Sequence, residues 1–419
     1  MKRGFLLILA LLSIGLLASC RPEENDKPPI DGGGDKEVIE LDYLYELDGT
    51  LAKKAGKQSD LLEDNLRLFS GDLAENGTNL VRANLWTYSA YFTTVNQLYM
   101  MDPSPHYKQL LDLASEELEW YVATHREDDH LVYASKNGTE EPAFFDDNVW
   151  LVIGWINGYN ATGDKEFLDK AIRNMDWIYT GWQQDIGGIF WREFPDSYTN
   201  AEKGRNTCIN GPAAWASAML YEITGDIDYL DWSIRIYNWT KRNLYDNIEK
   251  VFWDNIDGDG FVNKWTFTYN HGTMLSAAAY LYKITKEDRF KDDVSDYMEG
   301  AEKVFYEGNL YDLFPQGAFY KDNPWFRVYL VQGFFDAMRF VDPNYGYRLE
   351  RVKAGILFAY DNHFIDETGF IFEDWSGRIP NEGAGSGFNK YPRTLFVVGN
   401  IEILTILAQY EAYIIEVTK

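Results

Sequence analysis

An all-α fold of two concentric helical layers, an (α/α)6 barrel of six helical hairpins with its cleft on the loop-rich rim, is predicted by three features of this sequence. The first is a joint that recurs at long intervals. Thr162-Gly163-Asp164 and Thr224-Gly225-Asp226 lie 62 residues apart, and Thr285-Lys286-Glu287-Asp288 follows about as far on. Met101-Asp102-Pro103 and Val341-Asp342-Pro343 fit the same series. The second is alternation. The segment before each joint is apolar and rich in small residues, and the segment after it is amphipathic, so buried helices take turns with half-exposed ones. The third is the period itself. Tetratricopeptide, ankyrin and HEAT repeats run about 33–47 residues, so a repeat this long disfavours an open solenoid of those kinds and suggests closed layers.

Taken in order, the chain opens with Met1-Lys2-Arg3, an apolar run from Phe5 to Leu17 and the small-residue ending Leu17-Ala18-Ser19-Cys20. Charge, length and ending are those of a signal peptide, and the apolar run is shorter than the ~20 residues a bilayer requires. Residues 1–19 are expected to be a lipoprotein signal peptide, because a Cys after Leu-Ala-Ser resembles a bacterial lipobox with Cys20 as the lipidated residue. Residues 20–40, rich in Pro, Gly and acids, read as a flexible tether. Glu23, Glu24 and Asp26 beside that Cys resemble the acidic signal of Bacteroidetes lipoproteins, which implies an outer-membrane anchor facing the cell exterior, with the periplasmic side as the alternative.

Residues 41–419 are then the barrel domain. Its first helix is expected near Leu61 to Phe69. The inner type is represented by Ala213 to Tyr221 and Leu275 to Tyr282, and the amphipathic type by Ala171 to Trp177. An apolar helix from Leu395 to Tyr413 brings the number to twelve. Long loops rich in Gly, Asp and Trp, at 185–210, 245–269, 310–325 and 364–391, lead into inner helices from one rim, which is where a cleft belongs.

Composition narrows the function. A net charge of −27 argues against nucleic acid, which calls for basic patches. Aromatic residues make up 16% of the chain, and rings beside carboxylates and amides suit the C–H faces and hydroxyls of a neutral carbohydrate. Cys208 has no partner for an internal disulfide and reads as a small buried residue. Asn255-Ile256-Asp257-Gly258-Asp259-Gly260 matches the start of an EF-hand loop, but Thr266 stands where the closing Glu belongs, so a tight turn is expected there. The His residues lack zinc spacing, and no phosphate loop or nucleophile elbow is present. No metal or cofactor is expected.

The candidate chemistry lies in Phe144-Phe145-Asp146-Asp147-Asn148-Val149-Trp150. Two readings stand. Asp at a helix start is ordinarily a cap, and adjacent Asp pairs are common in an acidic chain, as at Asp128-Asp129 and Asp292-Asp293. Asp146-Asp147, however, opens a helix that is apolar nearly all round, where burying two charges is costly unless they are satisfied or functional. A pair of carboxyl groups is what glycosidic hydrolysis requires. Rim residues before the inner helices suggest sugar contacts: Trp191, Asn206, Asn210, Tyr269, Asn270, His271, Arg327 and Trp375, with Trp325 and Arg378 nearby. Singly each also fits a cap or core role.

These residues resemble glycoside hydrolase family 76, the endo-α-1,6-mannanases. The resemblance rests on Asp146-Asp147-Asn148-Val149-Trp150, Gly187-Gly188-Ile189-Phe190-Trp191, Arg205-Asn206 with Asn210-Gly211-Pro212, the Thr-Gly-Asp joints and Tyr269-Asn270-His271-Gly272. It spans about residues 60 to 410 and implies a retaining, endo-acting enzyme that cleaves α-1,6-mannosidic bonds in mannan-type glycans. Asp146 would be the nucleophile and Asp147 the acid/base, with Asn148 among the sugar contacts. His271 departs from the family's usual Gln. Partners implied are a mannan-like glycan and a membrane only through the lipid anchor, for a monomer that binds no nucleic acid. Two rivals remain open: another (α/α)6 enzyme, of exo-mannosidase or unsaturated glucuronyl hydrolase type, and a non-catalytic glycan-binding surface lipoprotein.

Overall fold

The computed structural model describes residues 50–68, 70–77, 81–123, 130–136, 143–193, 197–306, 321–366, 368–376 and 393–418. The chain divides into two units, Met1–Ile39 and Glu40–Lys419. The first unit, and with it the signal peptide, Cys20 and most of the tether, lies outside the described residues, as do Asp128-Asp129, Arg378 and parts of the loops at 310–325 and 364–391.

Twelve α-helices are described in the second unit: α1 Thr50–Asn65, α2 Leu85–Met101, α3 Pro105–Leu118, α4 Phe145–Thr162, α5 Lys165–Thr180, α6 Thr207–Thr224, α7 Ile227–Leu244, α8 Thr268–Thr285, α9 Asp288–Val304, α10 Pro324–Phe340, α11 Tyr347–Asn362 and α12 Thr394–Thr418. The even-numbered helices pack each on the next, and α12 closes the ring against α2. They are buried along nearly their whole lengths, whereas α5, α7 and α9 bury one stripe. The result is the expected (α/α)6 barrel. α12 would be long and apolar enough to cross a bilayer, but 83% of its most apolar stretch is buried as a core helix.

One boundary differs from expectation. α1 ends at Asn65 rather than running to Phe69, because its buried residues Leu51, Ala55 and Leu62 recur at helical spacing upstream. It packs against α12, so the sixth hairpin joins the first and last helices of the barrel.

The recurring joint has a local cause. Gly163 takes the left-handed conformation (φ 72°), and its N–H donates to the Tyr159 carbonyl at 2.7 Å, which ends α4. The Thr162 hydroxyl accepts the Asp164 N–H, and the Asp164 carboxylate caps α5 by accepting from Glu166 N–H at 2.9 Å. Thr224, Gly225 and Asp226 repeat each step. Lys286 holds the glycine position at the third joint with φ 58°.

A small antiparallel sheet, not anticipated from the helical pattern, sits on the rim: β1 Arg205–Asn206, β2 Tyr245–Asp246, β3 Val251–Ile256 and β4 Val262–Thr266, with β3 pairing all the others. The loop between β3 and β4 is the tight turn expected there: Asp257 Oδ1 accepts the amides of Asp259 and Phe261, each at 2.9 Å.

Candidate active site

Asp146 and Asp147 occupy the first turn of α4, whose N-cap position belongs to Phe144. Neither Asp therefore serves as the N-cap. The Phe145 N–H is satisfied by the Trp191 carbonyl (2.9 Å), so the Gly187-Gly188-Ile189-Phe190-Trp191 loop lies against the start of the helix. Gly187 and Gly188 let the same loop pack closely on the Trp239 ring of α7. Both have positive φ, and a Cβ on either would come within 2.4–2.5 Å of the Trp239 ring.

The two carboxylates have unequal surroundings. Asp146 Oδ2 accepts from Trp191 Nε1 at 2.7 Å and from the Cys208 thiol at 3.4 Å, while its Oδ1 accepts from Asp147 N–H at 3.0 Å. Among the described residues Asp147 Oδ2 accepts only from the Ser135 hydroxyl, at 2.8 Å. Each keeps partial solvent exposure. Burial and then repulsion from Asp147 push Asp146 up to about 8, and burial pushes Asp147 up to about 6. These values belong to the pair, which holds one proton near neutral pH. The larger rise falls on Asp146, yet the donors favour charge there, three against one. The donor count is the firmer guide to where the proton sits, because the repulsion that lifts Asp146 acts equally on its neighbour.

Aromatic rings pack beside the pair. Trp150, one turn after Asp146, meets Tyr269 (centroids 6.3 Å), Trp325 (5.2 Å) and Tyr329 (4.5 Å), and Tyr269 stacks on Phe326 at 4.0 Å. The Tyr269 hydroxyl reaches the Cys208 thiol that touches Asp146. Asp254 enters from β3, where the β3–β4 register shifts. Asn255, Asn263 and Asn270 hold its carboxylate, which burial raises above the usual range. Ser135, Cys208 and Asp254 were not singled out as site residues from sequence. Asp254 carries only an aromatic strand pattern as a signal, and the other two carry none.

Several expected sugar contacts are placed elsewhere. Asn148 is fully buried and clamps the 131–135 segment: its Oδ1 accepts from Tyr133 N–H, and its Nδ2 donates to the Tyr133 and Phe144 carbonyls. Asn210, also buried, does the same to Ile189 and Asn206. His271 faces the outer layer, where its Nε2 pairs with the Tyr297 carbonyl at 2.8 Å among Phe252, Tyr297 and Phe305. Burial lowers it to about 4, so it is neutral and away from the cleft. Arg327 donates to the carbonyls of Lys321, Asp322 and Glu373 and lies over Trp375, whose Nε1 donates to Asn400. The polar groups of Asn148, Asn210 and Arg327 bond loop backbone, His271 Nε2 bonds a carbonyl of α9 while its Nδ1 is buried with no partner among the described residues, and Trp375 is fully buried, so none of them is placed as a sugar contact. Asn270 is buried behind Asp254. Trp191, Tyr269 and Asn206 keep accessible surface, the last just ahead of Cys208.

Residues 56–359 match the model of glycosyl hydrolase family 76. The chain belongs to that family. Among solved structures, a family 76 glycoside hydrolase from a bovine Bacteroides thetaiotaomicron strain superposes with a TM-score of 0.77 at 22% identity, over 87% of this chain and 78% of that one. An inactive variant of an α-1,6-mannanase from Salegentibacter, with two consecutive aspartates changed to asparagine and α-1,6-mannotriose bound, gives 0.68 at 22% identity over 86% and 99%. The mannan endo-1,6-alpha-mannosidase of Saccharomyces cerevisiae is 27% identical over 180 residues, 39% of this chain and 40% of that protein. The chain thus spans about two-fifths of the length of such curated relatives.

Proposed function

We propose that this family 76 member is a retaining endo-α-1,6-mannanase in which Asp146 attacks the anomeric carbon and Asp147 protonates the leaving oxygen. The observation that carries the reading is the unequal donor set on two adjacent carboxyls. Three donors and the helix N-terminus stabilise the anion at Asp146, and the shared proton is left to Asp147. After the leaving group departs with that proton, Asp147 takes one from water, which then opens the glycosyl ester on Asp146. The substrate follows from the relatives, which are named as α-1,6-mannanases and mannan endo-1,6-alpha-mannosidases. A uronic-acid substrate is less well supported. Arg327 and Arg205 both donate to loop carbonyls, which holds their guanidinium groups against the backbone.

The test is hydrolysis of linear α-1,6-mannan with the anomer of the first product followed by NMR. Retention is expected. Asp147→Asn should lose about 10²–10⁴-fold in turnover, and azide should intercept its glycosyl intermediate. Asp146→Asn should be inactive without azide rescue, because no covalent ester forms. An inverted product, or wild-type rates in both variants, would reject the assignment.

A further inference from the structure

We propose that Trp265 on the β3–β4 hairpin is a distal saccharide-binding platform, on which the mannan chain extending from the cleaved bond stacks. The inference rests on the substrate reading above and concerns a residue well outside the acid pair. It begins with a backbone feature. The β3–β4 ladder pairs Asn255 with Asn263 and Trp253 with Thr266, so β4 spends one residue more than β3 between those pairs. That surplus is a β-bulge, which re-aims side chains. In place of the strand's alternation, Lys264 and Trp265 are both exposed, and Trp265 is 69% accessible. Its N–H donates to Asn263 Oδ1 at 3.3 Å, which holds the bulge.

A single exposed ring on a protein surface calls for no explanation. Trp265 is the outer end of a series. Its ring meets Phe267 edge-on at 6.4 Å. Phe267 meets Tyr269 at 5.8 Å and Phe326 at 5.7 Å, and Phe326 stacks with Tyr269 and lies 6.2 Å from Trp86. Phe267, Tyr269, Phe326 and Trp86 all keep accessible surface. The inner end is Tyr269, whose hydroxyl reaches the thiol that touches Asp146. A continuous aromatic track therefore leads from the acid pair to the rim, and its outer member is held outward by the backbone. Flat rings with no charge of their own suit the C–H faces of a neutral sugar chain.

Phe261 supplies the control. It is as exposed as Trp265 (70%) and sits on the same hairpin, but among the described residues it joins no ring in the series. The experiment compares kcat/KM on α-1,6-linked mannotriose and mannohexaose. Trp265→Ala should lower the hexasaccharide-to-trisaccharide ratio about 3- to 10-fold, the factor expected from one lost stacking contact. Trp265→Phe should recover part of it, and Phe261→Ala should leave the ratio near that of the wild type. The platform is overturned if the wild type is active and Trp265→Ala leaves the ratio unchanged, or if both variants lower it alike. Self-association or vesicle binding lost in Trp265→Ala, with the ratio intact, would overturn it in favour of a second copy or a lipid surface. A wild type inactive on every α-1,6-mannan substrate would overturn the substrate reading and this platform together.

Discussion

Trp191 is the residue with the most direct hold on the chemistry, because its indole N–H donates to the carboxylate oxygen of Asp146 at 2.7 Å. A hydrogen bond to an anion keeps a carboxyl's pKa down, so removing the donor raises it. Trp191→Phe keeps an aromatic ring and loses only the N–H. If Asp146 reacts as the anion, the acid limb of the kcat/KM profile should move to higher pH in this variant, and activity on that limb should fall about 10-fold or more, since hydrogen bonds to charged groups contribute roughly 1.5–3 kcal/mol. The pH–rate profile decides the matter. A uniform fall with no movement of the limb would mean that Trp191 is a sugar platform alone. Cys208 acts in the same sense through a longer and weaker contact. Its role was hidden in the sequence, since 62 residues separate it from Asp146 and nothing local announces the pairing.

At the scale of the helices, one device recurs that the sequence suggested and mislabelled. Asn148 on α4 and Asn210 on α6 each bond both backbone groups of one residue in a preceding loop and the carbonyl four residues back, and Asn400 on α12 holds Trp375 and Ile371 in a related way. The place of Asn148 and Asn210 near the start of inner helices was legible, whereas their partners were not, because the loops they clamp are remote in sequence. The Thr-Gly-Asp joints were legible for the opposite reason, since every bond in them is local. The hairpin that brings in Asp254 went unread under a pattern dominated by helices. The clamp makes a prediction. Asn148→Ala strips the buried Tyr133 N–H and C=O of their partner, and an unsatisfied buried group costs about 1–3 kcal/mol. Denaturant unfolding should show a loss of roughly 2–4 kcal/mol. Turnover should fall as well, because Ser135, the donor to Asp147, stands two residues beyond Tyr133. A variant of unchanged stability that fails only by a raised KM would restore Asn148 as a sugar contact.

For the barrel as a whole, closing six inner helices around an axis buries carboxyl groups that the reaction does not use. Asp336 on α10 is raised to about 7 by burial, with Gln332 Nε2 donating to it at 3.0 Å and the charges of Arg339 and Lys283 opposing the shift. Glu402 on α12 is raised to about 8 by burial, and its Oε2 has no donor among the described residues. Burial favours the neutral acid at both positions. The sign follows directly: a group whose folded pKa exceeds its unfolded value binds more protons when folded, so its stabilising effect is complete below the unfolded pKa and is lost as pH rises through the folded one. The window runs from about 4 to about 8, and Asp146 and Asp147 act in the same direction. His271 acts in the opposite direction, since its folded value is depressed, but its effect is confined below its ordinary value of 6.5. Between pH 6.5 and 8.5 the carboxyls therefore govern, and thermal stability should fall as pH rises. A net charge of −27 adds alkaline self-repulsion, so the slope of the wild type alone does not identify the groups. The comparison with Glu402→Gln does, because Gln keeps the shape, cannot ionise and leaves the surface charge untouched. As pH rises from 6.5 to 8.5 the wild type should lose stability relative to Glu402→Gln, whatever their order at pH 6.5, by an amount on the order of 1–3 kcal/mol. Parallel melting curves across that range would show that Glu402 ionises as freely in the folded barrel as in the unfolded chain.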